Sequence, residues 1–142
     1  MVAWGMAANT RFATGVHAMV LLAAEPENLQ TSEEVAGKLN INPVVVRRVF
    51  ALLHRARLLE SQKGPHGGSR LARPAKQITL AEVYQALDGG ELFREAAFPG
   101  TQSAKVSAAL KKVFSAAERA MREELEKTTL NQVAKKAAKG RG

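Results

Sequence analysis

Cysteine is absent from the 142-residue sequence, which excludes disulfides, thiol redox switches, cysteine nucleophiles and iron–sulfur clusters held by thiolates. Aromatic residues make up only 5% of the chain, fewer than a protein that stacks single-stranded bases requires. The longest apolar run, HAMVLLAA at residues 17–24, is too short to span a bilayer, and the first residues lack the features of a signal peptide. We therefore expect a cytoplasmic protein with no cofactor and no membrane contact.

Positive charge is plentiful. The chain has 21 Lys and Arg against 13 Asp and Glu, a formal net charge of +8. A surplus of that size in a small domain indicates a polyanionic partner, with nucleic acid first and an anionic membrane surface second.

The sequence predicts neither a metal site nor a catalytic site. The three histidines are scattered, and we assign His17 to the core or an interface and His54 to the surface. The paired acids at 33–34 and 123–124 are explained by helix capping and surface charge. No nucleophile, base and orienting group converge, so we do not expect an enzyme.

Two capped helices in succession predict a helix-turn-helix. In TSEEVAGKLNI, Thr31 and Glu34 have the spacing of a capping box. The second segment, NPVVVRRVFALLHRARLLE, begins with Asn42 as N-cap and Pro43 at the first helical position. Its predicted buried stripe is Val46, Val49, Phe50 and Leu53. The opposite, cationic face consists of Val44, Arg47, Arg48, Ala51 and Arg55.

A glycine-rich hairpin follows, in the stretch SQKGPHGGSRLARP at residues 61–74. We predict strands at 57–62 and 69–74. The loop lacks the Gly-Lys-Ser/Thr ending of a phosphate-binding loop, and a strand rather than a helix follows Gly68. A hairpin directly after a helix-turn-helix is typical of a wing, in which glycines let the backbone approach DNA. The alternative is a solvated turn.

Helices account for the rest of the predicted fold, which is mainly α with a small β-hairpin. Asn9 is the expected N-cap of a helix at 9–24, and Thr79 with Glu82 opens a helix at 79–90. The predicted winged helix-turn-helix domain is thus 9–90, followed by a connection at 91–102, a long helix at 103–127 and a basic, disordered tail at 128–142.

The long helix has an apolar stripe with little on its own chain to cover it. Packing against a second copy would bury that stripe in a symmetric dimer; the alternative is that the helix folds back on its own domain. The predicted dimerisation residues are Val106, Leu110, Val113, Phe114, Ala117, Met121 and Leu125.

Residues 9 to about 127 resemble the Rrf2 family of bacterial winged helix-turn-helix transcription regulators, in its cysteine-free branch. The matching pieces are NTRFATGVHAMVLLA, the helix-turn-helix, KGPHGGSRLARP and ITLAEVYQALDG. The resemblance implies a homodimer whose long C-terminal helices cross between subunits and whose wings reach minor grooves. Several members hold an iron–sulfur cluster through three cysteines placed before the dimerisation helix. The matching interval here, FREAAFPGTQSAKVSAAL, has none, so cluster sensing and thiol oxidation are not carried over.

The predicted function is sequence-specific regulation of transcription. The homodimer would bind a palindromic operator in double-stranded DNA, with the recognition helix in the major groove and the wing in the minor groove, and we expect a repressor. The expected DNA contacts are Thr31, Ser32, Asn42, Pro43, Val44, Val45, Arg47, Arg48, Lys63, His66, Gly67 and Arg70.

Alternatives remain open for several of these residues. Arg47 and Arg48 can read guanine edges or neutralise phosphates, Thr31 can simply cap its helix, and Val45 is expected to be partly buried. Arg55 and Arg73 are assigned to general basic surface. A non-specific, nucleoid-associated nucleic-acid-binding protein is the main alternative function, and a helical scaffold is another. The sequence identifies no effector.

Overall fold

The computed structural model describes residues 8–88 and 96–140. This part of the chain is mainly helical with one antiparallel hairpin, which confirms the predicted fold class. Its elements are α1 (Ala8–Ala24), α2 (Ser32–Leu39), α3 (Pro43–Arg55), β1 (Leu59–Gln62), β2 (Gly68–Leu71), a 3-10 turn (Ala75–Gln77), α4 (Leu80–Asp88), α5 (Thr101–Glu126) and α6 (Leu130–Lys139). The glycine pair expected to end the helix at 79–90 lies outside the described residues.

One hydrophobic core is formed by the four helices α1, α2, α3 and α4 together with the base of the hairpin and the start of α6. The helices α1 and α4 approach closely at Gly15, where a Cβ atom would lie 2.3 Å from Cδ1 of Leu87. The largest fully buried side chains of the core are Met19, Leu22, Val35, Val46, Val49, Leu53, Leu58, Ile78, Val83 and Leu130. This core fixes the orientation of α3, because the whole apolar stripe of that helix faces inward.

The predicted caps of α2 and α3 are confirmed. The Thr31 hydroxyl accepts from the Glu34 amide at 3.1 Å, and the Glu34 carboxylate accepts from the Thr31 amide at 3.0 Å. Asn42 Oδ1 accepts from the Val44 amide at 2.9 Å, with Pro43 at the first helical position. Both helices of the helix-turn-helix therefore start where their polar side chains satisfy free backbone amides.

The prediction for α1 was wrong in one detail, whereas the one for α4 holds. Asn9 is not an N-cap, because α1 already begins at Ala8. At α4, the hydroxyl of Thr79 accepts from the Glu82 amide at 3.2 Å and the Glu82 carboxylate accepts from the Thr79 amide at 3.1 Å. A capping side chain thus marks a helix start only where the preceding backbone has left the helix.

The predicted disordered tail was wrong across residues 130–139, which form α6. Thr129 and Gln132 make a capping box, and Leu130 is fully buried. The amide of Leu130 donates to the carbonyl of Ile78 at 2.8 Å. The helix forms because residues 130, 133 and 134 lie on one face and pack inward, while its lysines stay exposed.

The helix α5 is slightly displaced from its predicted position. It begins at Thr101, so the last two residues of the predicted connection at 91–102 are helical, and it ends at Glu126. Along its 26 residues no side chain is fully buried, and its packing within the chain is chiefly against α4. No helix in the described ranges combines the length and apolarity needed to cross a membrane.

Candidate nucleic-acid interface

The outer face of α3 is open to solvent along its length. Val44 is 42% exposed, and Arg47, Arg48, Ala51 and Arg55 are exposed as well. The inward stripe on the opposite side of the helix is buried throughout. The predicted phase of the helix is confirmed, and Val45 is half-buried, as expected for a residue at the border between the two faces.

Arg47 on α3 is paired with Glu33 at the start of α2. Its Nη2 atom donates to Glu33 Oε2 at 2.9 Å, and both side chains are more than half exposed. The hydrogen bond from the guanidinium lowers the pKa of the Glu33 carboxyl below its ordinary value. This contact joins the two helices of the motif on the side that carries the exposed cations.

Two predicted contact residues at the start of α2 already have partners in the protein. The Thr31 hydroxyl caps the helix, which agrees with the simpler of its two expected roles. The Ser32 hydroxyl donates to Glu33 Oε1 at 3.2 Å. A phosphate at this helix end would meet amide dipoles and Ser32, with the Glu33 carboxylate beside them.

The hairpin is shorter than predicted. Its register pairs Leu59 with Leu71 and Gln62 with Gly68, which leaves residues 63–67 as the tip. Arg57 does not belong to the first strand, because its φ of +63° places it in a left-handed turn after α3. Lys63 and His66 lie exposed in the tip, where they can reach an external partner.

The close approach that two of the wing glycines permit is to the protein itself. A Cβ atom on Gly67 would lie 2.2 Å from the carbonyl oxygen of Gln62. Gly68 has a φ of +149°, and its Cβ atom would lie 2.8 Å from backbone atoms of Gln30. Gly64, at a φ of +115°, has open space around it. Packing within the protein therefore requires glycine at 67 and 68, and the approach to DNA inferred from the sequence stays a prediction.

Two arginines around the wing are paired with acids. Nε of Arg70 lies 3.3 Å from Glu60 Oε1 across the hairpin. Arg73 donates from Nε to the carbonyl of Gln77 at 3.1 Å and from Nη2 to the Glu82 carboxylate. The assignment of Arg73 to general basic surface was wrong, because this side chain ties the end of the wing to α4.

A polar contact between the wing and the helical part of the protein was not predicted from the sequence. His54 is half-buried and its Nε2 lies 2.9 Å from Oγ of Ser69, so its assignment to the surface was wrong. Ser69 in turn exchanges two backbone hydrogen bonds with Gln30, which is fully buried. No periodicity or motif marks these three residues, since each belongs to a different element.

His17 is exposed on α1, so its predicted core position was wrong; an interface position stays a prediction. The predicted dimerisation stripe of α5 is also accessible. Val106, Leu110 and Val113 are 49%, 45% and 61% exposed. Ala117 is exposed and Phe114, Met121 and Leu125 are half-buried.

The described residues offer no group of donors that fits an iron site. The sequence contains no cysteine. Within the described ranges, no three side chains among His, Asp and Glu come together in a way that could hold a metal ion.

Comparison with known proteins gives the same fold and family. Residues 8–136 match the Rrf2 family model, described as "Iron-dependent Transcriptional regulator". The chain is 36% identical over 129 residues to the "Putative HTH-type transcriptional regulator YwnA" of Bacillus subtilis (strain 168), covering 88% of this chain and 95% of YwnA.

Solved structures agree with the family match. A structure described as a "putative DNA binding protein" superposes with a TM-score of 0.71 at 32% identity, covering 87% of this chain and 97% of its own. T. potens IscR has the same fold, with a TM-score of 0.68 at 24% identity over 96% of this chain and 91% of its own. The chain belongs to the Rrf2 family of transcriptional regulators, whose members bind DNA and are not enzymes.

Proposed function

We propose that this protein is a sequence-specific regulator that binds a palindromic operator in double-stranded DNA as a homodimer and represses transcription in the cytoplasm. The observation that carries the proposal is the two-sidedness of α3. Its inner stripe is buried in the core, and its outer face presents adjacent arginines and an exposed valine. A helix of this kind fits a major groove, where side chains read base edges and phosphates.

The roles within α3 follow from position along the helix. Asn42, Pro43, Val44 and Val45 form its first turn, the part of a recognition helix that meets base edges. Val44 is the more exposed of the two valines and suits the methyl group of thymine. Arg47 and Arg48, one turn further on, suit a phosphate and a guanine edge, with Thr31 and Ser32 near a phosphate at the start of α2.

The hairpin is proposed to act as the wing. Its tip carries Lys63 and His66, both exposed, and Gly64 leaves open space around the backbone. A cationic tip of this shape fits a narrow minor groove, whose negative potential attracts basic side chains. Arg70 would reach a phosphate by exchanging Glu60 for it, while Gly67 supports the tip by closing its turn through a 3.0 Å hydrogen bond to Gly64.

The dimer is proposed from the exposed stripe of α5. Three large aliphatic side chains at 106, 110 and 113 are about half exposed on one face of a helix that, among the described residues, packs chiefly against α4. A second copy would cover that face, and two-fold symmetry would place two recognition helices on an inverted repeat. The helix 103–127 of the prediction thus serves the dimer and residues 9–90 the DNA.

We also propose that the protein regulates without an iron–sulfur cluster, because the sequence has no cysteine and the described residues contain no other group of metal-binding side chains. The effector, if one acts, would be of another kind. Metal analysis of the purified protein should find no stoichiometric iron, and DNA binding should survive treatment with a chelator. Stoichiometric iron that is needed for binding would refute this part of the proposal.

The proposal is tested by selecting duplexes from a randomised pool. We expect the wild-type protein to enrich an inverted repeat and to hold it against excess unrelated DNA. The Arg47→Ala/Arg48→Ala variant should lose affinity by about 1–3 kcal/mol for each base contact removed and keep its thermal stability, since both side chains are exposed. Lys112→Ala/Lys136→Ala, at exposed positions of α5 and α6, removes the same number of positive charges and is the charge-matched control.

Enrichment without any common sequence would instead support the non-specific, nucleoid-associated function. If the lysine control lost as much affinity as Arg47→Ala/Arg48→Ala, net charge alone, and not the outer face of α3, would drive binding.

A further inference from the structure

We propose that Gln30, Ser69 and His54 form a positioning network that holds the wing at a fixed angle to the recognition helix, so that the wing tip reaches DNA when α3 does. This inference rests on the proposed function, because it assumes that α3 and the wing bind one duplex. The three residues come from three separate parts of the fold: the segment before α2, the strand β2 and the last turn of α3.

The hairpin cannot hold its own orientation. It has two strands of four residues each, and a two-stranded ribbon of that length is marginal in water without support. Its two buried apolar residues, Leu59 and Leu71, pair with each other at the end of the hairpin that is farthest from the tip. Without further contacts the tip would be free to pivot about that base.

The network supplies those contacts close to the tip. Ser69 pairs with Ser61, only one pair from the end of the ladder at Gln62 and Gly68. The Gln30 amide donates to the Ser69 carbonyl at 2.9 Å, and the Ser69 amide donates to the Gln30 carbonyl at 2.8 Å. Gly68 completes the fit, since any side chain there would collide with the Gln30 backbone. Gln30 thereby acts as a one-residue third strand.

The side chain of Gln30 fixes this third strand to the helical part of the protein. Its Nε2 donates to the carbonyl of Leu21 in α1 at 3.3 Å, and its Oε1 accepts from Nζ of Lys38 in α2 at 2.7 Å. Because Gln30 is fully buried, each of these polar atoms needs its partner. The position of the wing is thereby set by α1 and α2.

His54 makes the direct link between the wing and the recognition helix. It directly follows Leu53, the last inward-facing residue of the α3 stripe, and its Nε2 is 2.9 Å from the Ser69 hydroxyl. Ser69 therefore has its backbone bound to Gln30 and its side chain bound to α3. A single residue of the wing is held from two directions, which fixes an angle and not only a distance.

The experiment uses Lys63 as a reporter of wing position. Affinity for a duplex selected by the wild-type protein is measured over a range of salt concentrations in the wild type, Lys63→Ala, Ser69→Ala and the Lys63→Ala/Ser69→Ala double variant. In the wild type, removing Lys63 should lower the salt slope by about one ion. In the Ser69→Ala background it should change the slope little, because the tip is no longer held against the phosphate.

A second pair of variants keeps the test independent of the buried serine. His54→Leu should weaken binding about five- to tenfold. His54→Gln, whose Nε2 can occupy the place of the imidazole nitrogen, should recover most of the affinity. Thermal unfolding of each variant, carried out beside the binding measurements, identifies any that fails to fold, in which case the His54 pair decides.

The outcomes are distinct. If the wild type selects no duplex, the proposed function and this inference both fail. If Lys63→Ala leaves the salt slope of the wild type unchanged, the wing needs no positioning and the inference fails. If Lys63→Ala lowers the slope equally in the wild type and in Ser69→Ala, the proposed function stands and the positioning network alone is overturned.

Discussion

Nη2 of Arg47 lies 2.9 Å from Oε2 of Glu33, so the guanidinium on the outer face of α3 is paired with a carboxylate at the start of α2. The pair is exposed, and an exposed pair contributes little to stability because water screens it. Its consequence concerns binding. An arginine that contacts a phosphate must share or leave this carboxylate, which itself repels the phosphate.

Replacing Glu33 with Gln should strengthen DNA binding. The substitution removes a negative charge from the proposed interface and frees Arg47, so we expect affinity for a selected duplex to rise about two- to fivefold. Fluorescence anisotropy titrations at low salt measure the change. Glu123→Gln, an equal change of charge at an exposed position of α5, is the control and should have little effect. Unchanged or weaker binding in Glu33→Gln would contradict the prediction.

Placing a charge in the stripe of α5 should separate the subunits. Val113 is 61% exposed in the chain, so Val113→Glu should leave the fold intact and put a carboxylate into the apolar surface of the proposed dimer interface. Light scattering should then give the mass of one chain, where the wild type gives that of two. Lys112→Glu, on the other side of the helix, should remain dimeric. Equal masses for wild type and Val113→Glu would count against the proposed interface.

The ion pair between Arg73 and Glu82 should make stability depend on pH. Burial raises the pKa of Glu82, but the Thr79 amide and the Arg73 guanidinium outweigh it, so the pKa lies below its ordinary 4.5. A depressed pKa in the folded state stabilises the fold above the unfolded pKa, and that contribution is lost as pH falls below about 4.5.

The matched variant is Glu82→Gln, because Gln still accepts from the Thr79 amide at the helix start. At neutral pH we expect this variant to be less stable by about 0.5–1 kcal/mol, a small value since both side chains of the pair are partly exposed. Urea unfolding at several pH values measures the difference. It should vanish below the depressed pKa of Glu82; a difference constant with pH would exclude the ion pair as its cause.

Truncating Leu130 should destabilise the whole protein. The side chain is fully buried where α6 meets the core, and Leu→Ala changes at such sites cost about 2–5 kcal/mol. Thermal or urea unfolding of Leu130→Ala measures the loss. Lys136→Ala, on the exposed face of α6, should be neutral. A neutral Leu130→Ala would mean that α6 contributes nothing to the fold.

The sequence predicted those features of the fold that depend on local patterns. The caps at Thr31, Asn42 and Thr79 and the inward stripe of α3 follow from residue spacing alone, and all are present. The secondary structure of residues 128–142 was harder to predict. α6 is short, and it is stabilised by burial of Leu130 and by the backbone hydrogen bond from Leu130 to Ile78, which joins distant parts of the chain.

In the candidate site, too, the features set by local sequence patterns were predicted and the contacts between distant residues were not. The exposed cations of α3 are visible in the sequence because a helix sorts its residues by face. The partners of those cations are not visible, since Glu33 and Arg47 lie on different helices. The polar interior of the wing was missed for a further reason: a buried Gln has no periodic signature, and only the three-dimensional structure shows that Gly68 lies against it.

The attachment of α6 to the core restricts the movement of the C-terminal end of α5. Two backbone hydrogen bonds connect the residues just after α5 to the segment between the hairpin and α4. The amide of Leu80 donates to the carbonyl of Thr128, and the amide of Leu130 donates to the carbonyl of Ile78. The uncovered aliphatic side chains lie toward the other end. A force applied there must either bend α5 or be transmitted to the base of the hairpin, so α5 would couple the proposed dimer interface mechanically to the proposed wing.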